Sequence, residues 1–224
     1  MPLSGATIAF DLDGTLVETA PDLIGTLNLM LAEHGLPPVP LSAARHLVGG
    51  GARRMLEHGF REAGADFDAG QAPLLVERFV EVYRDRIADE SFLFEGVEAA
   101  LDRLAADGAR LCVCTNKRTD LSIELLERLG VLGRFDAVVG PDAVSARKPD
   151  RAHLIEAVRK AGGDPARALM VGDSDNDVNA ARAAGAPVIA VSFGYTETPP
   201  TDLGADRLID RFDELHPAVR DLMS

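Results

Sequence analysis

Five short, largely apolar runs constrain this chain more than any other feature: Ala6–Phe10, Arg110–Thr115, Ala137–Gly140, Ala168–Gly172 and Pro187–Ser192. Each is too short for a packed helix. Each is also continuous rather than alternating, the pattern of a strand buried on both faces of a parallel sheet. Helical periodicities lie between them. Val97, Leu101 and Leu104 precede Gly108; Leu121, Leu125, Leu126 and Leu129 precede Gly130; Leu154, Ile155 and Val158 precede Gly162. A glycine just past the last periodic residue stops a helix. This alternation predicts an α/β fold with a doubly wound, mostly parallel, Rossmann-like sheet.

Residues 18–89 break the alternation and read as helices only. Thr19-Ala20-Pro21-Asp22 has the form of a helix start, with Thr19 as N-cap and Pro21 in the first turn. Leu23, Ile24, Leu27, Met30 and Leu31 then share one face, and Leu75, Phe79, Val82, Tyr83 and Ile87 share another. The expected division is therefore an α/β core of residues 1–17 and 90–224 with a small α-helical domain, 18–89, inserted after the first strand. A length of 224 residues suits that arrangement.

The net charge of −13 argues against nucleic acid or an anionic membrane as partner. It also requires any site for a small anion to carry its own local positive charge. Cys112 and Cys114 suggest neither a disulfide framework nor a zinc site, and read as buried, reduced thiols. No basic leader precedes an apolar stretch at Met1–Gly5, and no run reaches the ~18 apolar residues of a membrane span. A cytoplasmic protein is expected.

Four polar clusters fall at the carboxyl ends of proposed strands, the edge where open α/β sheets bind ligands. In Asp11-Leu12-Asp13-Gly14-Thr15, one carboxylate can attack phosphorus and a second can move protons, while the glycine lets backbone amides approach a ligand. A solvated Asp-Gly turn is the alternative. Thr115-Asn116 offers a hydroxyl and an amide to phosphoryl oxygens, or simply caps the next helix. Lys148 can neutralise a substrate, or lie on a solvated surface. Gly172-Asp173-Ser174-Asp175-Asn176-Asp177 is not a calcium loop, because its sixth and twelfth positions would be Val178 and Ala184. Its acids suit a cation at the sheet rim, or a helix amino terminus; the dipole explains Asp175 better than Asp173.

Taken in order, Phe10–Leu16 (FDLDGTL), Thr115, Lys148-Pro149 and Gly172–Asp177 (GDSDND) resemble the haloacid dehalogenase superfamily, over a match from Phe10 to about Tyr195. The resemblance implies a phosphomonoester hydrolase that needs Mg²⁺ and forms an aspartyl-phosphate. It casts Asp11 as nucleophile and metal ligand, and Asp13 as general acid/base with its backbone carbonyl on the metal. Asp173 becomes the third protein ligand, and Lys148 the stabiliser of nucleophile and phosphate. Thr115 and Asn116 would hold the phosphoryl group, and Asp177 would hold Lys148 or a metal-bound water. The helical insertion resembles the family's small cap. Glu18 departs from the aspartate common at that position, and the segment after Pro149 lacks a second proline often found there.

Val48-Gly49-Gly50-Gly51-Ala52 and Phe193-Gly194-Tyr195 resemble the phosphoglycolate phosphatases of that superfamily. This implies 2-phosphoglycolate as substrate, with Gly50 offering its amide and Arg53, or Arg54, its charge to a small carboxylate. A sugar phosphate such as N-acetylmuramate 6-phosphate is the alternative, and a phosphosugar mutase the third. The expected partner is a small phosphorylated metabolite, and the expected assembly a monomer or homodimer.

Overall fold

The structure is a computed structural model and describes residues 2–224. The chain runs through β1 (Thr7–Phe10) and a two-residue strand β2 (Val17–Glu18). Helices α1 (Ala20–Glu33), α2 (Leu41–Ala44), α3 (Ala52–Glu62) and α4 (Ala72–Asp85) follow, then β3 (Phe92–Leu93). Beyond it come α5 (Val97–Ala106), β4 (Arg110–Cys114), α6 (Thr119–Arg128), β5 (Ala137–Val139), α7 (Arg151–Lys160), β6 (Ala168–Gly172), α8 (Asp175–Ala184), β7 (Val188–Val191), β8 (Arg207–Ile209) and α9 (Leu215–Met223).

Six strands pair in the order β5-β4-β1-β6-β7-β8, and every pairing is parallel. The chain winds outward from β1 to β5, returns across β1 and winds the other way from β6. That reversal opens a crevice beyond the carboxyl ends of the central strands. Five strands coincide with the five apolar runs. The sixth, β8, has two exposed residues, Arg207 and Leu208, and follows Ala205-Asp206. A short edge strand carries no continuous apolar run, so periodicity passes over it.

Residues alternate between the sheet's two faces, and the faces differ in bulk. Ile8, Phe10, Leu111, Val113, Leu169, Val171, Ile189 and Val191 pack with α5, α6 and α9 in one layer. Ala9, Cys112, Cys114, Ala168, Met170, Val188 and Ala190 pack with α7 and α8 in the other. The smaller side chains let α7 and α8 lie close to the strands, which brings the amino terminus of α8 to the rim. Both thiols are free and fully buried there; burial pushes Cys114 up to about 12, so neither is a thiolate near neutral pH. Among the described residues no helix is long and apolar enough to cross a membrane.

Helices α1 to α4 occupy the chain between the two strands of a small antiparallel ribbon, Val17–Leu93 and Glu18–Phe92. Asp22, fully buried in the first turn of α1, fastens this junction. Its carboxylate accepts from the Ser91 amide (2.8 Å), the Ser91 hydroxyl (2.7 Å) and the Glu90 amide (3.1 Å). Thr19 stands at the N-cap position as expected, but its side chain does not cap. Its backbone is helical (φ −107°, ψ −7°) instead of extended, and its hydroxyl donates to Asp13. The capping acceptor is the Tyr195 hydroxyl, which receives the Thr19 and Ala20 amides at 2.8 and 3.1 Å.

Asp22→Ala leaves the Ser91 and Glu90 donors without their acceptor. It is expected to lower the free energy of unfolding by roughly 3 kcal/mol, read as a drop in urea midpoint at unchanged slope.

Candidate active site

Three neighbouring strands, β4, β1 and β6, each end on a candidate site residue. Asp11 follows β1, Thr115 follows β4 and Asp173 follows β6, because a parallel sheet brings consecutive carboxyl ends to one rim. Lys148 arrives on the loop between β5 and α7. Its ammonium lies 3.0 Å from Asp11 Oδ1 and 2.6 Å from Asp177 Oδ1. Asp11 Oδ1 also accepts the Leu12 amide at 2.7 Å. Both contacts to Asp11 fall on Oδ1, and Oδ2 receives neither.

Asp173 Oδ2 accepts the Tyr195 amide at 2.7 Å, and Oδ1 faces the Thr15 hydroxyl at 3.4 Å. Two glycines make this crowding possible. Gly14 has φ +83° and a Cβ there would meet Asp173 Oδ2 at 2.5 Å; a Cβ on Gly194 would meet Asp173 Cβ at 2.2 Å. Asp177 closes a capping box with Ser174 on α8. Its Oδ2 accepts the Ser174 amide and hydroxyl at 3.1 and 2.7 Å.

Asp11, Asp173 and Asp177 each place a carboxylate oxygen within 4.8 Å of the others, and all three are buried. Burial, then repulsion from Asp177 and Asp13, pushes Asp11 up to about 6 against the pull of Lys148. Burial and repulsion from Asp177 and Asp11 raise Asp173 well above the usual carboxylate range. Burial alone would depress the Lys148 ammonium, but Asp11 and Asp177 outweigh it and keep it charged. Crowded, buried carboxylate oxygens are the donor set of a hard divalent cation. Asp11 and Asp173 have bonding capacity left for one. Asp177 is already engaged through both oxygens, Oδ1 with Lys148 and Oδ2 with the start of α8.

Asp13 lies outside that triad. Its Oδ1 accepts the Thr19 hydroxyl at 2.7 Å and the Lys117 ammonium at 3.0 Å. A cleft of 230 Å³ opens over Asp11, Asp13, Lys148 and Asp173, lined also by Gly50, Arg54, Thr115, Asn116 and Glu197. Gly50 and both phosphoryl-binding candidates therefore meet the aspartates, while Arg53 does not line the cleft. Arg53 is 62% exposed on α3 and bonds Glu57 one turn on, whereas Arg54, rotated ~100° around the helix, lines the wall and pairs with Glu197 at 2.7 Å. An apolar annex of 200 Å³ adjoins the cleft, shares Asp13, Gly49, Asn116 and Lys117 with it, and is walled by Leu23, Met55, Phe79 and Tyr83.

The sequence reading assigned no role to Lys117 or to His153. His153 is fully buried on α7; its Nδ1 accepts the Lys148 amide at 3.1 Å and its Nε2–H donates to the Val139 carbonyl at 3.1 Å. Burial and nearby Lys148 pull it down to about 4, so it holds the Lys148 backbone as a neutral ring. Asn116 fixes the other side of that residue, its Nδ2 donating to the Lys148 carbonyl at 3.1 Å. Tyr195 Oη donates to Glu18 Oε1 at 2.6 Å, and Glu18 Oε2 pairs with Arg45, which accounts for the longer acid at that position.

The family model for the haloacid dehalogenase-like hydrolases matches residues 8–191. A phosphoglycolate phosphatase of Caulobacter vibrioides is 54% identical over 99% of this chain and 94% of its own length. An N-acetylmuramic acid 6-phosphate phosphatase of Pseudomonas aeruginosa is 37% identical over 93% and 92%. Among solved structures, a predicted phosphoglycolate phosphatase from Haemophilus somnus superposes with a TM-score of 0.88 at 29% identity, covering 96% of this chain and 98% of that one. With the rim of acids and Lys148 described above, these matches define the chain's kinship: it belongs to the haloacid dehalogenase-like hydrolases, as a phosphatase of the phosphoglycolate phosphatase-like kind.

Proposed function

We propose that the protein is a Mg²⁺-dependent phosphomonoester hydrolase that works through an aspartyl-phosphate on Asp11, with 2-phosphoglycolate as substrate and glycolate and phosphate as products. The observation that carries this reading is the Asp11 carboxylate itself. One oxygen is pinned by Lys148 and the Leu12 amide, and the other is left uncommitted beneath the cleft.

In the first step Asp11 Oδ2 attacks phosphorus as the ester P–O bond breaks, and Asp13 gives its proton to the departing oxygen. In the second, Asp13 takes a proton from water, the water oxygen bonds phosphorus, and the bond to Asp11 breaks. Thr115 and the Asn116 amide line the cleft where the transferring group would sit, and Lys148 opposes the charge gathering on it. Four carboxyl groups, on Asp11, Asp13, Asp173 and Asp177, outnumber the two ammonium groups of Lys117 and Lys148. Mg²⁺, held by the carboxylates of Asp11 and Asp173 and the backbone carbonyl of Asp13, would supply the missing charge and polarise the phosphoryl oxygens.

Residues 18–89 act as the cap over this site, and residues 1–17 and 90–224 as the catalytic core. Val48, Gly49, Gly50 and Arg54 of the insertion already form a wall of the cleft. The substrate assignment draws on relatives named for phosphoglycolate and on the small, polar character of the main cleft. One observation favours a second reading. The annex beside Asp13 has room for a leaving group larger than glycolate, such as a sugar ring.

Asp11→Asn is expected to cut phosphate release at least about 10⁴-fold while the unfolding midpoint stays put, and to abolish acid-stable labelling of the protein by ³²P-substrate. Chelation should stop turnover and Mg²⁺ restore it, and Asp173→Ala should raise the Mg²⁺ needed for half-maximal rate by roughly 100-fold or more. Retained labelling in the first case, or an unshifted metal titration in the second, overturns the corresponding role. Across a metabolite panel, 2-phosphoglycolate should give the highest kcat/KM; a hexosamine 6-phosphate exceeding it tenfold selects the second reading.

A further inference from the structure

Lys117 is the cation in this site without an obvious duty. It is not in the acid triad, it does not touch Asp11, and its side chain is only 6% exposed. Its ammonium sits 3.0 Å from Asp13 Oδ1 and 4.4 Å above the centre of the Tyr83 ring. We propose that Lys117 forms a carboxylate subsite, which selects phosphomonoesters bearing an acidic group next to the ester oxygen. This rests on the reading of Asp11 and Asp13 above and names what recognises the substrate's far end.

The argument is one of reach. A general acid must come within about 3 Å of the oxygen it protonates. In a phosphorylated 2-hydroxy acid the carboxyl carbon is two bonds from that oxygen, so the carboxylate oxygens lie about 3 Å from it by covalent geometry. Lys117 is 3.0 Å from Asp13. An ester oxygen on Asp13 therefore brings the neighbouring carboxylate to the Lys117 ammonium without any further span. An ammonium has three donors. Asp13 takes one direction and the face of Tyr83 another, which leaves one for a ligand.

The other cations near the cleft are worse placed. Lys148 is 1% exposed and already lies between Asp11 and Asp177. Arg54 is 57% exposed at the outer wall and pairs with Glu197. Lys117 lines both the cleft and the annex, so a group entering from either meets it. Burial against Tyr83, Phe79 and Leu23 lowers the local dielectric and strengthens any charge pairing made there. Tyr83 also lines the annex, and its buried side chain lies against the Lys117 ammonium, which helps to hold that ammonium in place.

The test compares 2-phosphoglycolate with 2-hydroxyethyl phosphate, which has the same chain length and no carboxylate. Lys117→Met also disturbs Asp13, so both substrates slow; the readout is the ratio of their kcat/KM values. A charge-assisted hydrogen bond predicts that this ratio falls about 10- to 100-fold, through KM, with Lys117→Arg restoring most of it. In an Asp11→Asn background, which binds without turnover, calorimetry should show the same selective loss of 2-phosphoglycolate affinity. An unchanged ratio in Lys117→Met, or a fall in Arg54→Met instead, overturns the subsite while leaving the hydrolase reading intact. A wild-type protein that releases phosphate from neither substrate overturns both.

Discussion

A single buried ammonium organises this site. Lys148 has two carboxylates for neighbours and almost no contact with water, an arrangement that is costly unless every partner is in place. The surrounding chain is built to keep it there. His153 and Asn116 hold its backbone amide and carbonyl, Asp177 is locked by the first turn of α8, and Asp11 is held by its own following amide. The sheet supplies the frame, since its smaller face draws α7 and α8 inward and so brings the His153 and Asp177 anchors to the same few ångströms.

The electrostatics follow from that packing. Four aspartates meet two lysines in a volume that excludes most solvent, and burial first, then repulsion among the acids, raises the proton affinity of Asp11 and Asp173. Within a chain of net charge −13 this rim therefore stays acidic, and Lys117 and Lys148 only partly offset its carboxylates. The carboxylates can be crowded so tightly only because Gly14 and Gly194 remove side chains that would occupy the same space.

The core of the site was legible because its residues sit at the ends of apolar runs. Asp11, Thr115 and Asp173 each follow a buried strand, and parallel strands end together. What was not legible depended on rotation and on long-range pairing. Arg53 and Arg54 differ by one step around α3, and only the fold decides which faces the cleft. Thr19 was recognisable as a helix start, but its hydroxyl turns to Asp13, and the capping acceptor comes from Tyr195, 176 residues later. Lys117 and His153 carry no local signal, since a lysine before a helix and a histidine within one are ordinary surface choices. Strand β8 was missed for the same kind of reason, its exposed edge replacing the apolar run that marked the others.

Tyr195 stands where two parts of the molecule meet. Its amide holds Asp173, while its hydroxyl, one side chain's length away, receives the first turn of α1 and gives its own proton to Glu18. A single residue therefore spans from the acid rim to the root of the helical insertion. A swing of α1 about the β2–β3 ribbon would pull on that ring like a lever, and the strain would arrive at Asp173 through one peptide unit. The first helix of the insertion and Asp173 thus share one residue as a common fastening, with no relay of intervening side chains between them.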